Sequence, residues 1–187
     1  MRMHAAGPRR RSSLRLRGFD YASPGVYFVT VCTHRKACFL GALVDGESRP
    51  SASSMMVAAS WQELPVHYPS LELGSMVVMP NHVHAIVFLP EPVGAGPRPA
   101  PTPQGRSLQV SGGGRRVTLS EILRAFKSFS ARRINVARGT PGAPVWQRGF
   151  YEHVIRGESD LGRIRRYIEQ NPLRWAEDDE TLSRVHP

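Results

Sequence analysis

The chain has 187 residues and a formal net charge of +10, and nearly all of its positive charge is arginine. This length predicts one domain with its own core. Its two cysteines argue against the disulfide-rich secreted class, and no apolar run approaches the ~20 residues of a membrane span, so we expect a cytoplasmic protein.

The first 18 residues carry six arginines and no acidic residue. Segments of this composition bury too little apolar surface to fold, and their charge attracts polyanions, of which nucleic acid is the commonest. We therefore predict a disordered basic arm over residues 1–18. The residues of this arm that we expect to contact nucleic acid are Arg9, Arg10, Arg11, Arg15 and Arg17.

The first ordered elements are predicted to be a strand and a helix. The run "GVYFVTVC" is rich in β-branched and aromatic residues, which predicts a strand at Val26–Thr33. After a turn rich in Gly, Ser and Pro, apolar residues recur at helical spacing. This pattern predicts a helix over residues 54–66, with Ser53 or Ser54 as its N-cap.

Two more strands follow in "LGSMVVMPNHVHAIVFLP". The β-rich runs Ser75–Met79 and His82–Leu89 flank Pro80-Asn81, a turn dipeptide, so we predict an antiparallel hairpin. Residues 90–116 then hold six prolines and six glycines, a composition that predicts a mobile loop or insertion.

An amphipathic helix is predicted over residues 119–137, with Thr118 or Ser120 as its N-cap. Its apolar side is formed by Leu119, Ile122, Leu123, Phe126, Phe129 and Ile134. The basic residues off this side, which we expect to contact nucleic acid, are Arg124, Lys127, Arg132 and Arg133.

A short strand near 151–156 and a last helix complete the predicted domain, with Ser159 as the helix N-cap and Pro172 at its end. The order β-α-β-β-α-β-α predicts an α+β fold, in which a ferredoxin-like antiparallel sheet has helices on one face and a further C-terminal helix. We assign residues 19–176 to this single domain and 177–187 to a C-terminal tail.

Two histidines interrupt the apolar strand "HVHAIVFL". Because side chains alternate along a strand, His82 and His84 point to one face and Val83 to the other. Their Cα atoms would lie ~6.6 Å apart, a separation at which two imidazoles can converge on one metal ion. The pair could be half of a metal site, or simply two surface histidines on an open face of the sheet.

The last helix offers partners for the histidine pair. Tyr167 and Asn171 are four residues apart, so they share a helix face. A tyrosine hydroxyl beside a divalent metal is a plausible nucleophile toward a phosphodiester, and an amide oxygen suits Mg²⁺ or Mn²⁺ as a third ligand. From the residues alone Tyr167 could equally pack in the core, and Tyr151 and Tyr27 are equal candidates.

Five segments resemble one family. "YFVTVCTHR", "MPNHVHAIV", "LSEILRAFKSFSARRIN", "VWQRGFYEHVIR" and "RRYIEQNP" occur in this order in the REP-associated tyrosine transposases, single-tyrosine members of the HUH endonuclease superfamily. The match runs from about Gly18 to Trp175. The insertion at 90–116 is longer and richer in Pro and Gly than the family pattern, so it could alter access of DNA.

The resemblance implies a specific chemistry. His82 and His84 would bind a divalent metal, Mg²⁺ or Mn²⁺, with Asn171 as the third ligand and Tyr167 as the nucleophile. The family cuts single-stranded DNA, often beside a hairpin, joins its tyrosine to the 5′ phosphate and releases a 3′-OH. The implied partner is therefore single-stranded or hairpin DNA, with the protein at the nucleoid when bound. The sequence leaves open a monomer or a homodimer.

Two alternatives stay open beside this metal-dependent nickase and strand transferase. A catalytically silent DNA- or RNA-binding protein on a ferredoxin-like fold would explain the charge without using the histidines. A metallohydrolase would use His82 and His84 to activate water.

Overall fold

The computed structural model describes residues 23–44, 47–89 and 117–175. The predicted arm at 1–18, the insertion at 90–116 and the tail at 177–187 lie outside the described residues. The strands are β1 (Gly25–Cys32), β2 (Gly41–Val44), β3 (Glu47–Pro50), β4 (Glu72–Met79), β5 (His82–Leu89) and β6 (Tyr151–Ile155). The α-helices are α1 (Ala52–Gln62), α2 (Leu64–His67), α3 (Leu119–Arg138) and α4 (Glu158–Gln170), and 3-10 helices span His34–Lys36 and Asn171–Arg174.

Four of the strands form one antiparallel sheet in the order β4-β5-β1-β6. Taken in chain order, these four strands and helices α1 and α3 follow a β-α-β-β-α-β path. The first strand therefore lies between the third and the fourth, which is the ferredoxin-like arrangement. The predicted α+β fold is confirmed.

The two faces of this sheet are covered by different helices. Alternate residues of β1 and β5, among them Val29, Val31, Val83 and Ala85, pack with α1 and α3 in the main core. Across this core the rings of Trp61 and Phe126 meet edge to face, with centroids 5.1 Å apart. Full burial of such large apolar groups supplies most of the stability of a domain this size. We call this side of the sheet the helix face.

The opposite side of the sheet, which we call the histidine face, is covered by α4. A smaller apolar cluster joins Phe28 and Ile86 of the central strands to Leu161, Ile164 and Ile168 of α4. The strand residues on this face are out of phase by one with those of the main core, as the pleat requires. The last helix is thus fixed by its own apolar side against the same strands that carry His82 and His84.

Most of the predicted elements are present. The strand at Val26–Thr33 corresponds to β1, and the hairpin Ser75–Met79 and His82–Leu89 corresponds to β4 and β5. The helix predicted over 119–137 is α3, and its N-cap is Thr118 in a capping box with Glu121. The six residues of its predicted apolar side are all buried except Phe129, which is half-buried.

Two predicted N-caps were wrong. Ser51, not Ser53 or Ser54, caps α1: its hydroxyl accepts from the Ser54 N–H at 3.2 Å, which starts the helix earlier. The helix predicted over 54–66 is divided into α1 and the short α2, with Pro65 in the first turn of α2.

For α4, the N-cap is Gly157 rather than Ser159, which lies inside the helix. Gly157 has φ +83, a backbone conformation that favours glycine, and Asp160 accepts the Arg156 N–H at 3.2 Å. At the other end the α-helix stops at Gln170, before Pro172, but the chain continues as the 3-10 helix Asn171–Arg174.

The β2–β3 hairpin lies where the sequence pattern predicted only a turn. Among the described residues, none of the helices combines the length and the apolar character needed to cross a membrane.

Candidate active site

His82 and His84 lie side by side at the start of β5, on the histidine face. They are 0% and 1% exposed, so they are not surface histidines on an open sheet. Their Nε2 atoms are 2.9 Å apart, and the ring centroids are 4.4 Å apart. The strand therefore brings both imidazoles to one point beneath α4, as the alternation predicted.

Each histidine is oriented by a second polar group on its outer nitrogen. His82 Nδ1 lies 2.7 Å from Asn81 Oδ1, and His84 Nδ1 lies 2.8 Å from Thr30 Oγ1. Asn81 belongs to the hairpin turn, and Thr30 is the residue opposite His84 on β1. Both partners are themselves buried. Outer hydrogen bonds of this kind fix ring orientation and are typical of metal-binding histidines.

Tyr167 reaches this pair from α4. Its hydroxyl lies 3.4 Å from His84 Nε2, and its ring meets that imidazole edge to face with centroids 5.2 Å apart. Phe28 packs against both rings and holds them together. The one tyrosine that the family pattern selects is therefore the one whose hydroxyl meets the histidines.

Asn171 and Trp175 continue the path of α4 across the site. Trp175 stacks on the His82 ring, with centroids 5.8 Å apart and planes inclined by 23°. Asn171 lies between Tyr167, which contacts His84, and Trp175, which contacts His82. It is 1% exposed, and neither its Oδ1 nor its Nδ2 has a hydrogen-bond partner among the described residues. A buried amide in this condition is an available ligand.

Burial keeps both imidazoles neutral. Burial, with a smaller contribution from the positive charge of Lys36, lowers the pKa of His82 from its ordinary value of 6.5 to about 4. Burial also lowers the pKa of His84 well below its ordinary value, and His82 adds to the effect. Both rings are therefore uncharged at neutral pH, the state in which imidazole binds metals.

The residues present fit a divalent metal. Two nitrogens at adjacent corners of an octahedral site with bonds of about 2.1 Å lie about 3 Å apart, close to the 2.9 Å between the two Nε2 atoms. The amide oxygen of Asn171 is a suitable third ligand for Mg²⁺ or Mn²⁺. The described residues contain no cluster of three or more His, Cys, Asp or Glu that could bind a metal, so a metal at the histidine pair would need a third protein ligand of another kind, such as the Asn171 amide.

Comparison with known proteins shows which proteins this chain resembles. No protein-family model matches it. An uncharacterized protein of Haemophilus influenzae is 33% identical over 177 residues, which are 92% of this chain and 94% of the relative. A second H. influenzae protein, named "Putative REP-associated tyrosine transposase", is 23% identical over 156 residues, 83% of this chain and 74% of that protein. The chain is therefore similar to the REP-associated tyrosine transposases.

A solved structure agrees in fold. The structure of a REP-associated tyrosine transposase bound to a REP hairpin superimposes with a TM-score of 0.56 and 23% identity. The alignment covers 87% of this chain and 73% of that one. The resemblance expected from the five sequence segments is thus confirmed at the level of family and fold.

The other two candidate tyrosines, Tyr27 and Tyr151, lie elsewhere. Tyr27 is on the helix face, fully buried, and its hydroxyl donates to the Ser23 carbonyl at 2.7 Å. Tyr151 is on the histidine face at the edge strand, where its ring meets Phe28 edge to face. Burial raises the pKa of Tyr151, with the charge of Glu152 adding to the effect. Of the three, Tyr167 is the one seen to contact the histidine pair.

The predicted DNA-contacting cations are spread over two regions. Arg9, Arg10, Arg11, Arg15 and Arg17 lie outside the described residues. Helix α3 packs on the helix face, away from the histidines. The Lys127 ammonium binds the Gln147 and Gly149 carbonyls, and burial lowers its pKa to about 8. Arg133 pairs with Glu63 at 2.6 Å. Arg124 and Arg132 are exposed.

Several residues of the site were missed by sequence reasoning. Arg165 and Arg166, which directly precede Tyr167 in α4, are exposed and were also assigned no role. Trp175, Thr30 and Asn81 contact the histidines but were assigned no role. For Thr30 a signal existed, since a threonine in the apolar strand "GVYFVTVC" points to the face opposite to its neighbours Val29 and Val31. For Trp175 there was none, because its contact is with a strand more than ninety positions earlier.

Proposed function

We propose that this protein is a metal-dependent endonuclease and strand transferase that acts on single-stranded, hairpin-forming DNA through a 5′-phosphotyrosine intermediate at Tyr167. Similarity to REP-associated tyrosine transposases supports the coarser statement, a transposase-like protein that binds DNA. The related protein of known structure was solved with a REP hairpin bound, which favours hairpin DNA as the substrate. The observation that carries the chemistry is the Tyr167 hydroxyl, 3.4 Å from His84 Nε2.

The proposed roles follow from the geometry. His82, His84 and Asn171 would hold Mg²⁺ or Mn²⁺. The metal, when bound, would polarise the scissile phosphate and stabilise its developing charge. Tyr167 is held by Phe28 and by α4 so that its oxygen faces the same point. Arg165 and Arg166 lie next to it on the exposed side of the helix, where they would contact the phosphates of the incoming strand.

The covalent step exchanges one ester for another. The Tyr167 oxygen bonds to phosphorus, the bond from phosphorus to the 3′ oxygen breaks, and the 5′ phosphate remains on the protein. The tyrosine proton passes to water, and the departing 3′ oxygen takes up a proton and leaves as a 3′-OH. Attack of a 3′-OH on the phosphotyrosine reverses the step. Because the phosphodiester energy is conserved, cutting and joining need no nucleotide cofactor.

A gel assay tests this proposal. Protein, Mn²⁺ and end-labelled single-stranded hairpin DNA are incubated and separated on a denaturing protein gel. The wild-type protein is expected to carry label covalently, and Tyr167→Phe is expected to carry none. Tyr151→Phe is the matched control, because it removes a hydroxyl from the same face of the sheet, and it should form the adduct.

Other outcomes would contradict the proposal. An adduct that persists in Tyr167→Phe and disappears in Tyr151→Phe would assign the nucleophile to Tyr151. Cleavage of the DNA without any adduct would indicate a metallohydrolase that activates water. Binding of DNA with neither cleavage nor adduct, with Mn²⁺ present, would indicate a silent binding protein.

A further inference from the structure

The 3-10 helix His34–Lys36, which we call the basic turn, holds two consecutive residues in a backbone conformation that side chains rarely allow. Arg35 and Lys36 both have φ +54, and among the described residues they are the only non-glycine positions with positive φ. Neither has the short polar side chain of Asn or Asp, so both are held there at a cost in conformational energy. Residues kept in such conformations cluster at active sites and at segments that bind ligands.

Hydrogen bonds fix the basic turn against the Pro80-Asn81 turn, which leads into His82. On one side the Thr33 N–H donates to the Asn81 carbonyl at 2.9 Å, and the Thr33 hydroxyl is 2.9 Å from the same oxygen. On the other side the Leu40 N–H donates to the Pro80 carbonyl at 3.0 Å. The basic turn is thus held from both ends beside the start of β5, and these contacts can impose its unusual conformation.

The charge of Lys36 acts on the histidine face. Cys32, the last residue of β1, lies directly across from His82 in the register of β1 and β5. Burial raises the pKa of the Cys32 thiol, and the positive charge of Lys36 opposes this rise. The same charge adds to the effect of burial on the pKa of His82. Lys36 is itself exposed, so its ammonium is open to a ligand that approaches from solvent.

A positive charge at this place repels a metal cation at the histidine pair and attracts an anion. The anion in the proposed reaction is a phosphate of the DNA strand, and an ammonium with three donors is a common phosphate ligand. We propose that Lys36 is a phosphate-contacting residue of the histidine site, held there by the basic turn, and that it binds the backbone of the strand that enters. This inference rests on the proposed function, which supplies the DNA strand.

The first test measures binding of a fluorescent, hairpin-forming single-stranded oligonucleotide by anisotropy, without divalent metal and at several salt concentrations. Lys36→Asn removes the charge and introduces a residue that tolerates positive φ. The loss of one phosphate contact should make the slope of log affinity against log salt concentration shallower by about 0.7, which is about fivefold weaker binding at about 0.1 M salt. Lys36→Arg keeps the charge and should retain the wild-type slope. Should Lys36→Asn not fold, Lys36→Gly gives the same comparison, because glycine adopts positive φ freely.

The second test locates this contact by measuring Mn²⁺ affinity with isothermal titration calorimetry, without DNA. Lys36→Asn should bind Mn²⁺ about two- to fourfold more tightly at low salt, because a repelling charge is removed. Arg35→Asn is the matched control: Arg35 has the same φ and is also exposed, but its charge does not act on His82. Its Mn²⁺ affinity should be unchanged. Damage to the fold would lower both affinities, so tighter Mn²⁺ binding with weaker DNA binding separates the proposed role from a structural one.

The outcomes separate this inference from the proposed function. An unchanged salt slope in Lys36→Asn would overturn the phosphate contact. A shallower slope with unchanged or weaker Mn²⁺ binding would overturn its placement at the histidine pair. If both expected changes are found but the wild-type protein forms no covalent adduct with DNA, the contact stands and the phosphotyrosine chemistry is wrong. A wild-type protein that binds no hairpin DNA, or no Mn²⁺, would contradict both.

Discussion

The two faces of the sheet are made from alternate residues of the same strands, yet they differ in composition and in partners. On the helix face Val29, Val31 and Val83 meet α1 and α3 in an apolar core. On the histidine face Thr30, His82 and His84 are buried beneath α4. A two-residue period therefore lets one strand serve both the core and the site. The contrast predicts that changes on one face mainly alter stability and changes on the other mainly alter chemistry.

The largest expected effect is on the helix face. Phe126 is fully buried between Trp61 and Trp146, with ring centroids 5.1 Å and 5.7 Å away. Phe126→Ala should lower the free energy of unfolding by about 3–5 kcal/mol, from lost burial and a residual cavity. Urea unfolding measures it. On the histidine face Tyr167→Phe removes only one oxygen atom, so it should lower the free energy of unfolding by less than about 1 kcal/mol. Equal losses of unfolding free energy in the two variants would mean that the histidine face stabilises the fold as much as the helix face does.

The next effect is a pH dependence that arises on the histidine face. His82 has a folded-state pKa of about 4 against 6.5 in the unfolded chain. Between these values the unfolded state binds more protons, so stability is complete above pH 6.5 and is lost as pH falls toward 4. His82 alone should cost about 3 kcal/mol over this window. The pKa of His84 is also lowered, so it adds in the same direction.

Unfolding measured at intervals from pH 7.5 to 4.5 tests this dependence. The double variant His82→Gln, His84→Gln should show a much flatter profile over the same range. Asp160 does not interfere: its hydrogen bond with His153 lowers its pKa to about 2, so its contribution is lost only as pH falls from 3.8 toward 2. An equally steep profile in the double variant would assign the dependence to other groups.

A third change should make the protein more stable and less able to bind metal. Asn171 is buried with an amide that has no hydrogen-bond partner among the described residues. Asn171→Leu, of similar volume, should raise the free energy of unfolding by about 1–3 kcal/mol, because the unpaired polar group is removed. Mn²⁺ affinity, measured by calorimetry, should fall.

Asn171→Asp is the matched variant for this site. It keeps an oxygen ligand, so it should retain Mn²⁺ binding without the gain in stability. A loss of stability in Asn171→Leu would show that the amide has hydrogen bonds in solution, and its assignment as an available ligand would be withdrawn.

The smallest effect concerns the basic helix on the helix face. Arg133 and Glu63 are both exposed by about two-fifths and lie 2.6 Å apart. Glu63→Gln should change the free energy of unfolding by less than about 1 kcal/mol, with the difference decreasing as salt is added. DNA affinity should not decrease, since an arginine is released from its partner. By contrast, if α3 contacts DNA, Arg132→Gln should make the slope of log affinity against log salt concentration shallower by the amount that corresponds to about one phosphate contact.

The sequence predicted what depends on local pattern. The period of two in "HVHAIVFL" correctly put both histidines on one face, and Thr118 was one of the two N-caps predicted for α3. The same local rules chose Ser53 or Ser54 and Ser159 as caps. These predictions were wrong because the N-cap is the residue at which the backbone turns into the helix. That residue is Ser51 for α1 and Gly157 for α4, and a preference for serine does not locate it.

What could not be predicted depends on contacts between distant segments. That α3 lies on the face away from the histidines, while α4 covers them, is decided by sheet order and by which apolar side each helix presents. The β2–β3 hairpin is short and gave no alternating pattern. Thr30 and Asn81 became informative only when β1 and the hairpin turn brought their oxygens to the outer nitrogens of His84 and His82.

Trp175 gives the protein an optical reporter of its own site. The chain has three tryptophans, and Trp61 and Trp146 lie in the apolar core of the helix face. The indole of Trp175 alone stacks on an imidazole of the histidine pair. Indole emission responds to charge beside the ring, so binding of a cation at His82 should change it. The fluorescence difference between the wild-type protein and Trp175→Phe would therefore follow occupancy of the site in real time, without a label and without turnover.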